Sequence, residues 1–83
     1  MNKLLDLPNI GPILEHNLIT IGINSPEQLK GYSSKEIFLK IREIDPGACL
    51  HMLYGLEGAI ENIKDSNLSD STKQDLKDFY NNL

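Results

Sequence analysis

Leu7-Pro8-Asn9-Ile10-Gly11-Pro12-Ile13-Leu14 is the stretch that decides the fold. Pro8 disfavours helical geometry at Leu7, so a short helix from about Asn2 to Asp6 must stop there. Gly11 can adopt backbone conformations that bulkier residues resist, and asparagine, here Asn9, tolerates the left-handed region. Pro12 suits the first turn of a new helix, where its missing N–H costs nothing. The stretch therefore reads as helix, tight turn, helix. Downstream, Ile13, Leu14, Asn17, Leu18 and Ile21 recur at three- and four-residue spacing and give the second helix one mostly apolar face. Gly22 stops it with a left-handed C-terminal cap.

The rest of the chain carries the same punctuation. Ser25-Pro26-Glu27-Gln28 starts a helix: serine caps, proline fits the first position, and Gln28 stands where a capping box needs it. Gly31 keeps this helix short. Ser33 with Glu36 forms a second capping box and opens a helix to about Ile44, with Ile37, Phe38, Ile41 and Ile44 inward. Asp45-Pro46 reads as the start of a long central helix to about Lys64, whose apolar stripe is Cys49, Met52, Leu53, Leu56, Ile60 and Ile63. Ser69 caps a last helix from Asp70 to about Asn82, burying Leu76, Phe79, Tyr80 and Leu83. No segment alternates with period two and valine is absent, so no strand is expected. The expectation is all-α: a compact bundle of five to six short helices over residues 1–83, one domain.

Composition narrows the functional classes. Forty per cent hydrophobic and 24% charged residues describe a folded chain rather than a disordered one. No apolar run approaches the ~20 residues of a membrane span, and the start lacks a signal-peptide pattern; a cytoplasmic setting is expected, with no membrane partner. A single cysteine, Cys49, gives neither an internal disulfide nor a metal-ligand set. The formal net charge is −4. Residues 1–43 balance five basic against five acidic side chains, and residues 44–83 carry three against seven. The second half will repel phosphate backbones. No nucleotide loop, carboxylate pair or nucleophile motif is present, so no catalytic chemistry, cofactor or small-molecule substrate is read from the chain.

The turn, with Leu18, Ile21-Gly22-Ile23 and Ser25-Pro26-Glu27-Gln28-Leu29 after it, resembles the helix-hairpin-helix family over about residues 1–30, with Asn9 in place of that family's first glycine. The resemblance implies a SAM/helix-hairpin-helix type of bundle. It also implies an anion site in which Asn9 shapes the loop and the N–H groups of Ile10, Gly11, Ile13 and Leu14 face a phosphate oxygen. DNA-binding hairpins add Lys or Arg after the loop, whereas Glu15 and His16 follow here; the turn serves either DNA contact or the packing of a protein-binding fold. Glu36-Ile37-Phe38-Leu39-Lys40-Ile41-Arg42 and the run Asp45 to Ile60, ahead of Asp75-Leu76-Lys77-Asp78-Phe79-Tyr80, are similar to the C-terminal domain of the TfoX/Sxy family. That resemblance covers nearly the whole chain. It implies a bacterial regulatory module associated with genetic competence, here as a stand-alone copy without the family's N-terminal domain.

Two glycines, Gly55 and Gly58, interrupt the central helix, each at ~1 kcal/mol relative to alanine. Either another segment approaches closely or, with His51, they form a shallow partner groove. His51 has no second ligand at metal spacing and reads as a buried or rim histidine. Lys35, Lys40 and Arg42 form the one basic cluster, read as a solvated face. The partner expected is a protein or a second copy, with nucleic acid as the alternative.

Overall fold

The computed structural model describes residues 3–83. A 3-10 turn over Leu4–Asp6 leads through the Leu7–Gly11 loop into α1 (Pro12–Thr20). Then come α2 (Pro26–Lys30), α3 (Ser34–Ile44), α4 (Leu50–Glu61), a second 3-10 turn over Asp65–Asn67, and α5 (Asp70–Asn81). The described residues contain no strand, and no helix among them is long and apolar enough to cross a membrane. The fold is all-α, as the punctuation predicts.

The caps explain most of the boundaries. Gly22 has φ +95°, Gly22 N–H donates to Ile19 O and Ile23 N–H reaches back to Leu18 O at 2.9 Å, which together end α1. Asn62 ends α4 in the same left-handed way, φ +62°, with Ile63 N–H donating to Gly58 O at 2.8 Å. Ser33 Oγ accepts from Glu36 N–H while Glu36 Oε1 accepts from Ser33 N–H, so the capping box on α3 closes. At α2, Ser25 Oγ accepts from Gln28 N–H, but Gln28 Oε1 reaches one residue further, to Asn24 N–H. Ser69 Oγ accepts from Thr72 N–H at the start of α5.

Three boundaries differ from the sequence reading. The expected first helix is a single 3-10 turn over Leu4–Asp6, closed by Lys3 N–H donating to Asp6 Oδ2; Asn2 lies outside the described residues. The central helix starts at Leu50 rather than at Asp45-Pro46. The Asp45 carboxylate is already committed: Oδ1 accepts from Gly47 N–H at 2.8 Å and Oδ2 from Asn17 Nδ2 at 2.9 Å. Asp45 thus makes a turn and ties it to α1 instead of capping a helix. The same helix ends at Glu61, short of Lys64, because Asn62 turns left-handed.

The core runs along α3 and α4. Ile37, Phe38 and Ile41 of α3 and Leu53, Leu56 and Ala59 of α4 are fully buried, joined by Leu18 of α1, Leu29 of α2 and Leu76 of α5. Phe38 meets the Tyr80 ring at 5.9 Å between centroids, in a tilted arrangement. Four expected core members stay outside. Cys49 becomes the exposed residue that precedes α4, and Ile13 in the first turn of α1, Ile44 at the end of α3 and Leu83 beyond the end of α5 face solvent. Two buried polar side chains are satisfied: Asn17 by Asp45, and Ser34 by donating to Glu57 Oε1 at 2.7 Å. Each ties one helix to a neighbour, as buried polar groups must be hydrogen-bonded to be tolerated.

Candidate functional site

The Leu7–Gly11 loop turns on Asn9. Its φ of +70° is left-handed, whereas Gly11 is extended, so asparagine carries the unusual conformation and glycine does not. The Asn9 side chain then uses both ends. Nδ2 donates to Ile63 O at 3.0 Å and more weakly to Gly55 O at 3.4 Å, and Oδ1 accepts from Asp65 N–H at 3.1 Å. One amide thus stitches the hairpin loop to the middle of α4 and to the segment that follows it.

This contact explains one of the two glycines of α4. A Cβ on Gly58 would overlap Asn9 Nδ2 and lie 2.7 Å from Ile63 O. On Gly55 it would stand 3.5 Å from Asn9 Cβ, ordinary contact. Close approach of the hairpin loop is therefore the physical reason for Gly58, which is buried beneath Asn9, whereas Gly55 has room for a Cβ.

Beside the Asn9 contact, the loop and the first turn of α1 face the first turn of α4 across an open groove of about 500 Å³. Pro12, Ile13, Leu14 and Met52 make it apolar, Asn9 and Gly55 form its base, and Cys49, His51 and Asp65 border it. Ile13 is 75% exposed, the most of any large hydrophobic residue described, against an expectation of helix-face burial. Leu14 and Ile10, by contrast, point their side chains into the core. His51 is fully at the rim, its side chain 84% exposed, with Nε2 3.6 Å from Asp65 Oδ2.

Both helix starts at the groove lack a side-chain cap, at Gly11 for α1 and at Cys49 for α4. The other three α-helices are each capped by a serine. The N–H groups of Ile13, Leu14, His51 and Met52 therefore lie in first turns, where a helix supplies them no acceptor.

The structure thus brings the two sequence-derived sets to one place. Asn9, Gly11, Ile13 and Leu14 of the loop set and His51 and Gly55 of the helix set border the same groove, while Ile10 and Gly58 lie behind it. Met52 and Asp65 were not legible as site residues. Met52 sits on the apolar stripe of α4, and nothing in sequence marks that its end of the stripe stays uncovered. The basic cluster disperses: Lys35 Nζ pairs with Asp75 Oδ2 at 2.8 Å and lies over Phe79, and Lys40 lies over Tyr32. Among the described residues no group of three or more His, Cys, Asp or Glu side chains could hold a metal ion.

Five α-helices among the described residues, packed around one core with a pinned hairpin loop and an apolar groove beside it, define a small all-α module. The chain belongs to the family described as the TfoX C-terminal domain, whose model matches residues 1–80. It is similar to an uncharacterised protein from Listeria monocytogenes solved in a triclinic form, with 45% identity and a TM-score of 0.94 over 96% of this chain and 91% of that one. It is likewise similar to a protein of unknown function from Listeria monocytogenes in a tetragonal form, with 46% identity and a TM-score of 0.92 over 95% and 96% of the two chains. No curated protein matches the chain.

Proposed function

We propose that the domain is a non-catalytic, regulatory interaction module that docks a protein partner in the groove between the hairpin loop and the start of α4. The observation that carries this reading is Ile13, a large aliphatic residue left 75% exposed on an apolar concavity when the neighbouring Leu14 and Leu18 are buried. Exposing it stabilises nothing in the isolated domain, and covering it on binding is worth roughly 1.5–3 kcal/mol for a fully buried side chain. Membership of a regulatory-type domain family supports the same reading.

Nucleic acid is the second reading, because two uncapped helix starts offer N–H groups to one groove. Charge weighs against it. Asp65 borders the groove, Glu15 lies in the first turn of α1, and no Lys or Arg is among the lining residues. Non-specific affinity for a phosphate backbone comes mainly from such cations. A titration of isotopically labelled protein with duplex and single-stranded DNA at low salt separates the readings. The docking reading expects the amides of Ile10, Gly11, Ile13 and Leu14 to stay unmoved. Shifts centred on them that fade with added salt would overturn it in favour of nucleic acid.

A further inference from the structure

We propose that the occupant of the groove is a peptide segment in which an apolar side chain stands next to a Lys or Arg. The inference rests on the docking reading above and names the chemistry of the partner. The apolar requirement follows from Pro12, Ile13, Leu14 and Met52, which leave an aliphatic concavity of about 500 Å³. The cationic requirement follows from charge. Asp65 is the one carboxylate among the lining residues, its side chain is 27% exposed, and the one ionisable side-chain nitrogen among the described residues within 4.0 Å of it is His51 Nε2 at 3.6 Å, leaving it no Lys or Arg partner at that distance. No Lys or Arg lines the groove, and the chain as a whole carries a net charge of −4.

The helix starts do not reverse this balance. Each contributes about half a positive charge. That of α1 is offset by Glu15 in its own first turn, and that of α4 opens on the groove that Asp65 also lines. An acidic segment would meet Asp65 and the negative field of the chain together, whereas a cation beside the apolar anchor pairs with Asp65. The free N–H groups of Ile13, Leu14, His51 and Met52 then suit the neutral main-chain carbonyls of such a segment.

Three probes test the proposal by amide shift titration of the full chain: the acetylated, amidated dipeptides Leu-Lys, Leu-Glu and Ser-Lys. The expected result is that Leu-Lys shifts Ile13, Leu14, His51 and Met52 and binds about two- to fivefold more tightly than Leu-Glu, the scale of one exposed ion pair. Ser-Lys should bind more weakly than Leu-Lys. Asp65→Asn, which keeps the main-chain N–H that Asn9 holds, should abolish the preference for Leu-Lys over Leu-Glu. Equal or tighter binding of Leu-Glu overturns the cationic assignment while leaving docking in the groove standing. Equal binding of Ser-Lys and Leu-Lys overturns the apolar anchor. No response to any probe at the groove amides overturns both this proposal and the docking reading.

Discussion

Replacing Gly58 by alanine should destabilise the domain, against the usual sign of such a change. In an exposed helix interior, Gly→Ala gains about 1 kcal/mol. Here the new Cβ would overlap Asn9 Nδ2 and stand 2.7 Å from the carbonyl of Ile63, a main-chain atom that cannot swing aside. Asn9 must leave its place, forfeiting bonds to Ile63 O, Gly55 O and Asp65 N–H. At about 0.5–1.5 kcal/mol net for each bond, with about 1–3 kcal/mol for forcing extra volume into a packed site, the loss exceeds the gain. We expect a net cost of about 1.5–6.5 kcal/mol after the ~1 kcal/mol propensity term is subtracted. For a domain of this size that lowers Tm by roughly 4–8 °C per kcal/mol. Thermal unfolding followed by circular dichroism reads it directly. Gly55→Ala is the internal control: its Cβ meets only ordinary contact at 3.5 Å, so it should be neutral or stabilise by up to ~1 kcal/mol. Asn9→Gly combined with Gly58→Ala should cost less than the sum of the two single changes, by about 0.5–3 kcal/mol of coupling. A Gly58→Ala variant as stable as the parent, or more so, would refute the account of why α4 carries that glycine.

Further outcomes follow from the polar ties. Asn17→Ala removes the partner of Asp45 Oδ2 and should cost about 0.5–1.5 kcal/mol in chemical denaturation, since Asn17 is buried and Asp45 half-buried. Glu36 is held below the ordinary glutamate range by the backbone and hydroxyl of Ser33. Its contribution is therefore present above the unfolded glutamate pKa and lost as pH falls through the lowered folded value. Glu36→Gln should accordingly destabilise at pH near neutrality and converge with the parent in strong acid. Glu61 is shifted the other way, first by its hydrogen bond with Glu57 and then by burial and the charge of Glu57. Its contribution is present below the unfolded glutamate pKa and disappears as pH rises through the raised folded value. Glu61→Gln should thus stabilise at neutral pH, by about 0.2–0.5 kcal/mol for a like-charge pair four residues apart, and the gain should vanish in acid. Equilibrium unfolding at a series of pH values checks both signs.

The elements that sequence reading placed well are those whose boundary chemistry is local. Gly22, Ser33 with Glu36, and Ser69 act within four residues of themselves, and each ends or starts a helix where expected. The start of α4 was misplaced because Asp45 has a competing partner, Asn17, 28 residues away. A capping residue can be recognised from its neighbours, but its loss to a tertiary contact cannot. The same holds for the site. Asn9 was legible as a left-handed turn residue, but its three bonds run to positions 46 to 56 residues distant. Those bonds give Gly58 its reason. Ile13 lies on the periodic apolar face yet is exposed, because the groove leaves the first turn of α1 uncovered. Periodicity reports that a face is apolar, and only the packing of other elements decides which part of it is covered.

The docking proposal puts a protein partner in the groove beside the hairpin loop. Cys49 is exposed, stands at the groove and is the one cysteine of the chain, so a photoreactive group attached there reports directly on that place. The comparison is with the same group on exposed Asp78 of α5, introduced as Asp78→Cys in a Cys49→Ser background. In extracts of the cells that make the protein, the account predicts a discrete crosslinked protein species from position 49 that is lost with Ile13→Ser and absent from position 78. Crosslinks of equal yield from both positions, or crosslinks from position 49 that survive Ile13→Ser, would contradict it.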